Sequence, residues 1–130
     1  STLFPYTTLF RSYYARSIQR TNPDGSLQFF CAIDEGMVLT VARERDPIDV
    51  TSRLLKELTE DLGEVSMFIG FECVLRRLDV EQRQLSREMS ELYRRNKVIG
   101  FQTYGEQYRS MHVNQTLTGI AIGKRAVAPQ

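Results

Sequence analysis

The chain has 130 residues, of which 42% are hydrophobic and 25% are charged. These proportions are those of an ordinary globular domain, and they exclude a wholly disordered chain, a collagen-like repeat and a disulfide scaffold. Seventeen basic and sixteen acidic residues leave a net charge of +1, so no overall charge attracts the chain to nucleic acid or to an anionic membrane.

The first twelve residues, Ser1–Ser12, read STLFPYTTLFRS and closely resemble the translation of a sequencing adapter. We therefore predict that this segment is not native and that the true upstream sequence is missing. The alternative is a genuine N-terminal strand, for which Thr7–Phe10 is suited. Under the first interpretation the domain covers residues 13–125, and residues 126–130 form a frayed tail.

Three strands joined by short turns are predicted next. Tyr13–Gln19 and Leu27–Ile33 are rich in aromatic and aliphatic residues. Pro23 and Gly25 lie between them in a cluster that favours a tight turn, so the two segments form a β-hairpin. After a second turn, Met37–Ala42 is predicted to complete an antiparallel meander.

Two amphipathic helices are predicted around a central strand. The first helix begins after Asp49, the predicted N-cap, and ends before Gly63. Val65–Leu75 is almost continuously apolar, which indicates a central strand covered on both faces. The second helix begins with the capping box Asp79–Gln82 and ends near Asn96. The predicted buried stripe of this helix consists of Leu85, Met89, Leu92 and Tyr93.

Two further strands, Lys97–Thr103 and Val113–Gly123, complete the predicted fold. The element order β-β-β-α-β-α-β-β lacks a regular βαβ repeat. It therefore predicts an α+β domain with a mostly antiparallel sheet and two amphipathic helices packed on one side.

No enzyme signature is present in the sequence: we find no phosphate-binding glycine loop, no GxSxG turn and no HExxH pair. Cys31 or Cys73 with His112 would be a formal nucleophile and base, but cysteines inside strands are usually inert. We predict a non-catalytic, cytoplasmic protein with two reduced, buried thiols. Neither a signal peptide nor a membrane span is expected.

Arg76 and Arg77 follow the carboxyl end of the predicted central strand and precede a helix. Ligands often bind at this edge of an open sheet. A guanidinium group there can hold a carboxylate through two parallel hydrogen bonds. Both arginines are therefore candidate ligand-binding residues, although a solvated, charged helix face is the alternative interpretation.

The segment Gly100–Gly123 contains the remaining candidate residues. Tyr104 and Glu106 flank a glycine, as in a chain that turns to form the rim of a pocket. Counted by twos, a continuous strand places four side chains on one face, namely His112, Asn114, Thr116 and Thr118. Such a face suits the wall of a semi-polar cavity. The alternative is a solvent-exposed face in which the threonines reflect β propensity.

The segments FECVLRRLD, GFQTYGEQY and HVNQTLTGIAIG together resemble the C-terminal half of FIST-domain proteins, which are intracellular sensors of bacterial signal transduction. The longer segments CVLRRLDVEQRQ and MHVNQT look most like the NosP-type branch, whose members bind haem, detect nitric oxide and act on a histidine kinase. The resemblance implies a haem whose iron is held by His112. It also implies that Asn114 or Gln115 orients the imidazole and that Arg76 or Arg77 meets a propionate.

Two alternatives remain open within this resemblance. The domain could bind a small polar metabolite such as an amino acid, with Tyr104, Glu106 and Arg76 in contact with it; Asn114, Thr116 and Arg77 are further candidate ligand-binding residues. It could instead be a module that docks on the kinase and binds no ligand. The family also has an N-terminal half, which is absent from this sequence.

Overall fold

The computed structural model describes residues 4–9, 12–43, 45–108 and 111–124, and for residues 4–9, 12–14, 106–108, 111 and 112 it describes the backbone only. The helices are α1 (Pro47–Leu62), α2 (Val74–Gln82) and α3 (Ser86–Arg95). The strands are β1 (Phe4–Leu9), β2 (Ser12–Ala15), β3 (Ile18–Thr21), β4 (Leu27–Phe29), β5 (Thr40–Ala42), β6 (Val65–Cys73), β7 (Val98–Thr103), β8 (Glu106–Tyr108), β9 (Met111–Val113) and β10 (Leu117–Gly123).

The main sheet has the strand order β10-β6-β7, so β6 is central, as predicted. β6 is antiparallel to β10 and parallel to β7, to which α2 and α3 connect it. All other strand pairs among the described residues are antiparallel. The predicted α+β class with a mostly antiparallel sheet is therefore confirmed.

The N-terminal strands pair differently from the predicted meander. β3 and β4 form the expected hairpin around Gly25. β5, however, pairs with β1 instead of β4, in a separate sheet of order β2-β1-β5. The meander prediction was wrong because it excluded residues 1–12, which contain the strand that pairs with β5. Whether those residues are native stays a prediction.

Helix α1 begins one turn earlier than predicted. Asp46, not Asp49, is the N-cap, and its carboxylate accepts hydrogen bonds from the backbone N–H groups of Ile48 and Asp49 at 2.7 and 3.1 Å. Pro47 occupies the first helical position, where its lack of an N–H group costs nothing. The helix ends before Gly63 as predicted, and this glycine adopts a φ of 74°.

The predicted second helix is two helices. Asp79 lies inside α2 and accepts a hydrogen bond from Arg83 Nε at 2.9 Å, so it is not the predicted N-cap. Gln84 adopts a left-handed φ of 60°. The backbone N–H of Leu85 then bonds to the carbonyl of Val80 at 2.9 Å, which is the Schellman ending of a helix. The capping-box prediction was wrong because α2 begins at Val74, directly after β6, and Asp79 is therefore in its interior.

The hydrophobic core lies between the three helices and one face of the main sheet. Its buried members are Leu55 of α1, Phe68 of β6, Val80 of α2, and Met89 and Leu92 of α3. The helices therefore pack on one side of the sheet, as predicted.

The other face of the main sheet is open in the described part of the chain. Strand alternation and register place Ile69, Ile99 and Ile120 on this face, with Phe71 and Phe101 beside them. Ile99, Phe101 and Ile120 are 55%, 63% and 57% exposed. The prediction that β6 is covered on both faces was therefore wrong, because α1, α2 and α3 all contact the Phe68 side.

Candidate functional site

The structure separates the residues that were predicted to share one strand face. The predicted strand Val113–Gly123 is broken after Val113, and β10 begins only at Leu117. Gln115 adopts a left-handed φ of 52° in the turn between the two strands. The break ends the two-residue alternation between Asn114 and Thr118, so the prediction of one continuous strand was wrong.

His112 and Glu106 lie in the hairpin formed by β8 and β9. The backbone of His112 is opposite Gln107, and the backbone of Glu106 is opposite Val113. The side chains of both residues lie outside what the structure describes. Their predicted roles as haem ligand and pocket residue therefore stay predictions.

Asn114 is the most deeply buried of the candidate residues, with 1% of its surface exposed. Its Oδ1 atom accepts no hydrogen bond from the residues that the structure describes. A buried acceptor without a donor costs about 1–3 kcal/mol, so each such group needs a specific explanation. One explanation is a bound molecule that donates an N–H or O–H group.

A cleft of about 190 Å³ lies beside this turn, and we name it the Gln115 cleft. Its lining residues come from the chain before α1, from α1, from α2 and from the turn itself. They are Ala15, Arg45, Pro47, Val50, Arg76, Asp79 and Gln115. The cleft therefore offers a cation, an anion and an amide within a space that suits a molecule of only a few heavy atoms.

Arg76 lines the Gln115 cleft but is already bound on its inner side. Its Nε donates to Glu72 Oε1 at 3.0 Å, and the two side chains are only 11% and 13% exposed. Its Nη2 donates to the carbonyl of Pro47 at 3.4 Å and to Thr51 Oγ1. Arg76 therefore connects β6, α1 and α2 at the wall of the cleft.

Tyr93 extends this polar network to α3. Its hydroxyl donates to Glu72 Oε1 at 2.8 Å. Burial raises the pKa of Tyr93 above its ordinary value, and the nearby Glu72 carboxylate raises it further. The phenol therefore remains a neutral donor to Glu72 at physiological pH.

Glu72 was not among the site residues predicted from the sequence, although the sequence contains one indication that it is buried and paired. Glu72 is the single charged residue between Val65 and Cys73, and Arg76 follows it by four residues. A lone charge in an apolar strand indicates a buried carboxylate that needs a partner.

The remaining candidate residues do not converge on the Gln115 cleft. Arg77 is exposed and donates to Glu81 and to Gln102. Tyr104 is 92% exposed in the turn after β7. Thr116 accepts a backbone hydrogen bond from Cys73 at 3.0 Å. Of the predicted ligand-binding residues, the structure places Arg76 in the cleft wall and Asn114 next to the lining residue Gln115.

Both cysteines are free thiols. Cys73 is buried as predicted, whereas Cys31 is only half-buried. Burial raises the pKa of the Cys31 thiol, and the opposing effect of Arg16 is smaller. The thiolate form, which is the nucleophile, is therefore disfavoured at Cys31.

The Gln115 cleft is too small for a haem. At about 190 Å³ it is smaller than the 300–1,000 Å³ typical of sites for drug-sized ligands, and a porphyrin is larger still. Arg76, one of the two arginines predicted to meet a propionate, is held by Glu72 and Thr51. The haem prediction therefore depends on His112 and on the sequence resemblance.

These features define a small α+β domain in which a mixed sheet, covered by helices on one side, borders a polar cleft. The family model of the FIST C domain matches residues 2–109, and the chain belongs to this family. FIST C domains are sensory domains of signal transduction. Comparisons with curated proteins and with solved structures returned no match. None of the helices in the described ranges is long and apolar enough to cross a membrane.

Proposed function

We propose that the chain is a non-catalytic sensory domain that binds a small zwitterionic metabolite, such as an amino acid, in the Gln115 cleft. The observation that carries this proposal is the lining of the cleft, which places the guanidinium of Arg45, the carboxylate of Asp79 and the amide of Gln115 around one small space. Together these groups can hold the carboxylate and the ammonium group of one small ligand.

The charges of the cleft support a ligand with both signs. The exposed guanidinium of Arg45 suits a ligand carboxylate, because a charge-assisted hydrogen bond of this kind is about twice as strong as a neutral one. Asp79 lies in the same cleft and suits an ammonium group, although it also pairs with Arg83. A ligand that carries both charges can therefore interact with both groups at once.

The position of the cleft supports a role in signalling. Its walls belong to the start of α1, to α2 and to the turn between β9 and β10, so one small ligand contacts all three. Ligand binding to the folded state stabilises it, by about 2.7 kcal/mol when the ligand is present at 100 times its Kd. A ligand would thereby hold these elements in one arrangement for a partner to recognise.

A thermal-shift and calorimetric screen with the twenty amino acids tests this proposal. We expect one or a few amino acids to raise the Tm, and Arg45→Ala to weaken their binding about tenfold or more through loss of the carboxylate contact. The matched control is Arg43→Ala, which removes an exposed arginine that does not line the cleft. Equal binding to both variants, or no binding by any amino acid, would contradict the proposal.

Haem-based sensing is the second candidate, and the segment MHVNQT favours it. We propose for this case that His112 is the axial ligand of a haem that would supply the iron for binding nitric oxide, and that a histidine kinase is the partner. Titration with haemin tests the assignment. A His112→Ala variant that keeps the wild-type Soret position and affinity would exclude His112 as the ligand.

A further inference from the structure

A second and larger cleft, of about 440 Å³, lies on the helix-covered face of the main sheet, and we name it the Glu72 cleft. All three strands of the sheet and α3 contribute to its walls. Its volume falls within the 300–1,000 Å³ typical of small-molecule sites. It also reaches the carboxyl ends of the parallel strands β6 and β7, where ligands commonly bind in open sheets.

Two glycines form part of the floor of the Glu72 cleft. Gly70 on β6 and Gly100 on β7 are opposite each other in the register, and both line the cleft. A Cβ atom on Gly70 would lie 3.3 Å from Leu117 Cδ1 and 3.5 Å from Val98 Cγ1, which are side chains of the cleft wall. Leu117 and Val98 therefore lie directly over Gly70, and any side chain added there would push them into the cleft.

Glu72 supplies a hydrogen-bond acceptor at the polar end of this cleft. Tyr93 and Arg76 both donate to Oε1 of the Glu72 carboxylate. Oε2 of the same carboxylate accepts no hydrogen bond from the part of the chain that the structure describes. An ionised carboxylate only accepts hydrogen bonds, so a ligand group at Oε2 must be a donor. An ionised ligand carboxylate has no hydrogen to donate to Oε2.

The ring of Tyr93 and the side chains of Val98 and Leu117 make the rest of the cleft largely apolar. An aromatic ring next to a carboxylate favours an organic cation, because the ring face attracts positive charge. We propose that the Glu72 cleft binds a small primary amine with an apolar body, with its ammonium group on Glu72 Oε2 and its body against Tyr93, Val98 and Leu117. This proposal does not depend on the ligand of the Gln115 cleft.

Titration of the full chain with 2-phenylethylamine, followed by NMR or calorimetry, tests the proposal. We expect saturable binding with a Kd at or below about 1 mM, a value within reach of a ligand of this size. Phenylacetate has a similar body with a carboxylate in place of the amine, and we expect it not to bind. Binding of phenylacetate with the same affinity, or no saturable binding of the amine, would overturn the proposal.

Two variants locate the binding site. Gly70→Ala adds a methyl group to the cleft floor, and we expect it to weaken amine binding by about tenfold or more, since one methylene in a tight pocket has an effect of that size. Gly123→Ala is the control, because a Cβ there meets only ordinary contacts outside the cleft. If Gly70→Ala is poorly folded by circular dichroism, Leu117→Phe fills the same cleft from its wall. Unchanged affinity in a folded cleft-filling variant would overturn the assignment.

Discussion

Glu72 in β6 and Arg76 in the first turn of α2 form an ion pair, with Nε and Oε1 3.0 Å apart and both side chains almost 90% buried. The pair joins two clefts, because Arg76 lines the Gln115 cleft and Glu72 lines the larger one. The same Oε1 atom of Glu72 also accepts a hydrogen bond from the Tyr93 hydroxyl. A single carboxylate oxygen therefore connects β6, α2 and α3. A substitution at either residue therefore removes contacts that hold three elements of the fold together.

Arg76→Met is expected to destabilise the fold by about 3–5 kcal/mol, because it leaves the Glu72 carboxylate buried without its counter-charge. The double variant Glu72→Leu/Arg76→Met is expected to lose less stability than Arg76→Met alone, since it removes both buried charges together. Urea unfolding monitored by circular dichroism measures the free energies of unfolding of Arg76→Met, of Glu72→Leu and of the double variant. A double variant that loses the sum of the two single effects would show that the residues do not interact.

Tyr93 is expected to ionise at a higher pH than an ordinary tyrosine. Its ordinary pKa is 10.0, and burial together with the Glu72 charge raises it in the folded state. The neutral phenol therefore contributes to stability fully below pH 10, and this contribution is lost as the pH rises towards the raised pKa. An alkaline titration of tyrosinate absorbance, compared with Tyr93→Phe, should show one late-titrating group only in the wild type. Identical curves for the two proteins would contradict this.

Gly100→Ala is expected to destabilise the chain by about 3 kcal/mol or more, because the added Cβ would overlap the backbone of Gly70 in the neighbouring strand. The loss arises from disturbed pairing between β6 and β7. Gly123→Ala serves as the control and should change stability by less than about 0.5 kcal/mol, since its Cβ meets no atom closer than 3.8 Å. Thermal unfolding distinguishes the two variants. Equal Tm values would argue against the tight β6–β7 contact.

Asp46→Ala is expected to lower the free energy of unfolding by about 1 kcal/mol, because it removes the carboxylate that accepts hydrogen bonds from the first N–H groups of α1. Asp49→Ala should cost only roughly 0.3 kcal/mol, through the helix dipole alone. Chemical denaturation of the two variants measures the difference. A larger loss at Asp49 would favour the N-cap position that the sequence pattern had indicated.

Several elements were predictable because their signals are local. Leu55 and Leu58, at helical spacing between Pro47 and Gly63, mark the face of α1 that packs on the core, whereas Leu54 and Leu62 of the same pattern are exposed. The apolar run of β6 marks it as a central strand. The turn around Gly25 depends on the positive φ that glycine adopts freely. Each of these signals lies within a few residues of the structure that it predicts.

The breaks in the fold were not predictable in the same way. Gln84 and Gln115 adopt left-handed conformations. Glycine, asparagine and aspartate favour this conformation, whereas a glutamine does not indicate a turn. The first ends α2 before α3 begins, and the second separates Asn114 from the face of β10. Surrounding contacts impose these conformations against local preference.

The sequence by itself determined the α+β class, the amphipathic helices and the family resemblance, because residue periodicity and short motifs carry this information. Tertiary structure alone decided that Arg76 pairs with Glu72, that Asn114 is buried with an Oδ1 that no described residue bonds, and that Arg77 and Tyr104 lie outside the cleft. These outcomes depend on residues that are far apart in the chain or on the direction in which a turn leaves a strand. Hydrogen-bond partners and burial are properties of the assembled fold, so no pattern of neighbouring residues specifies them.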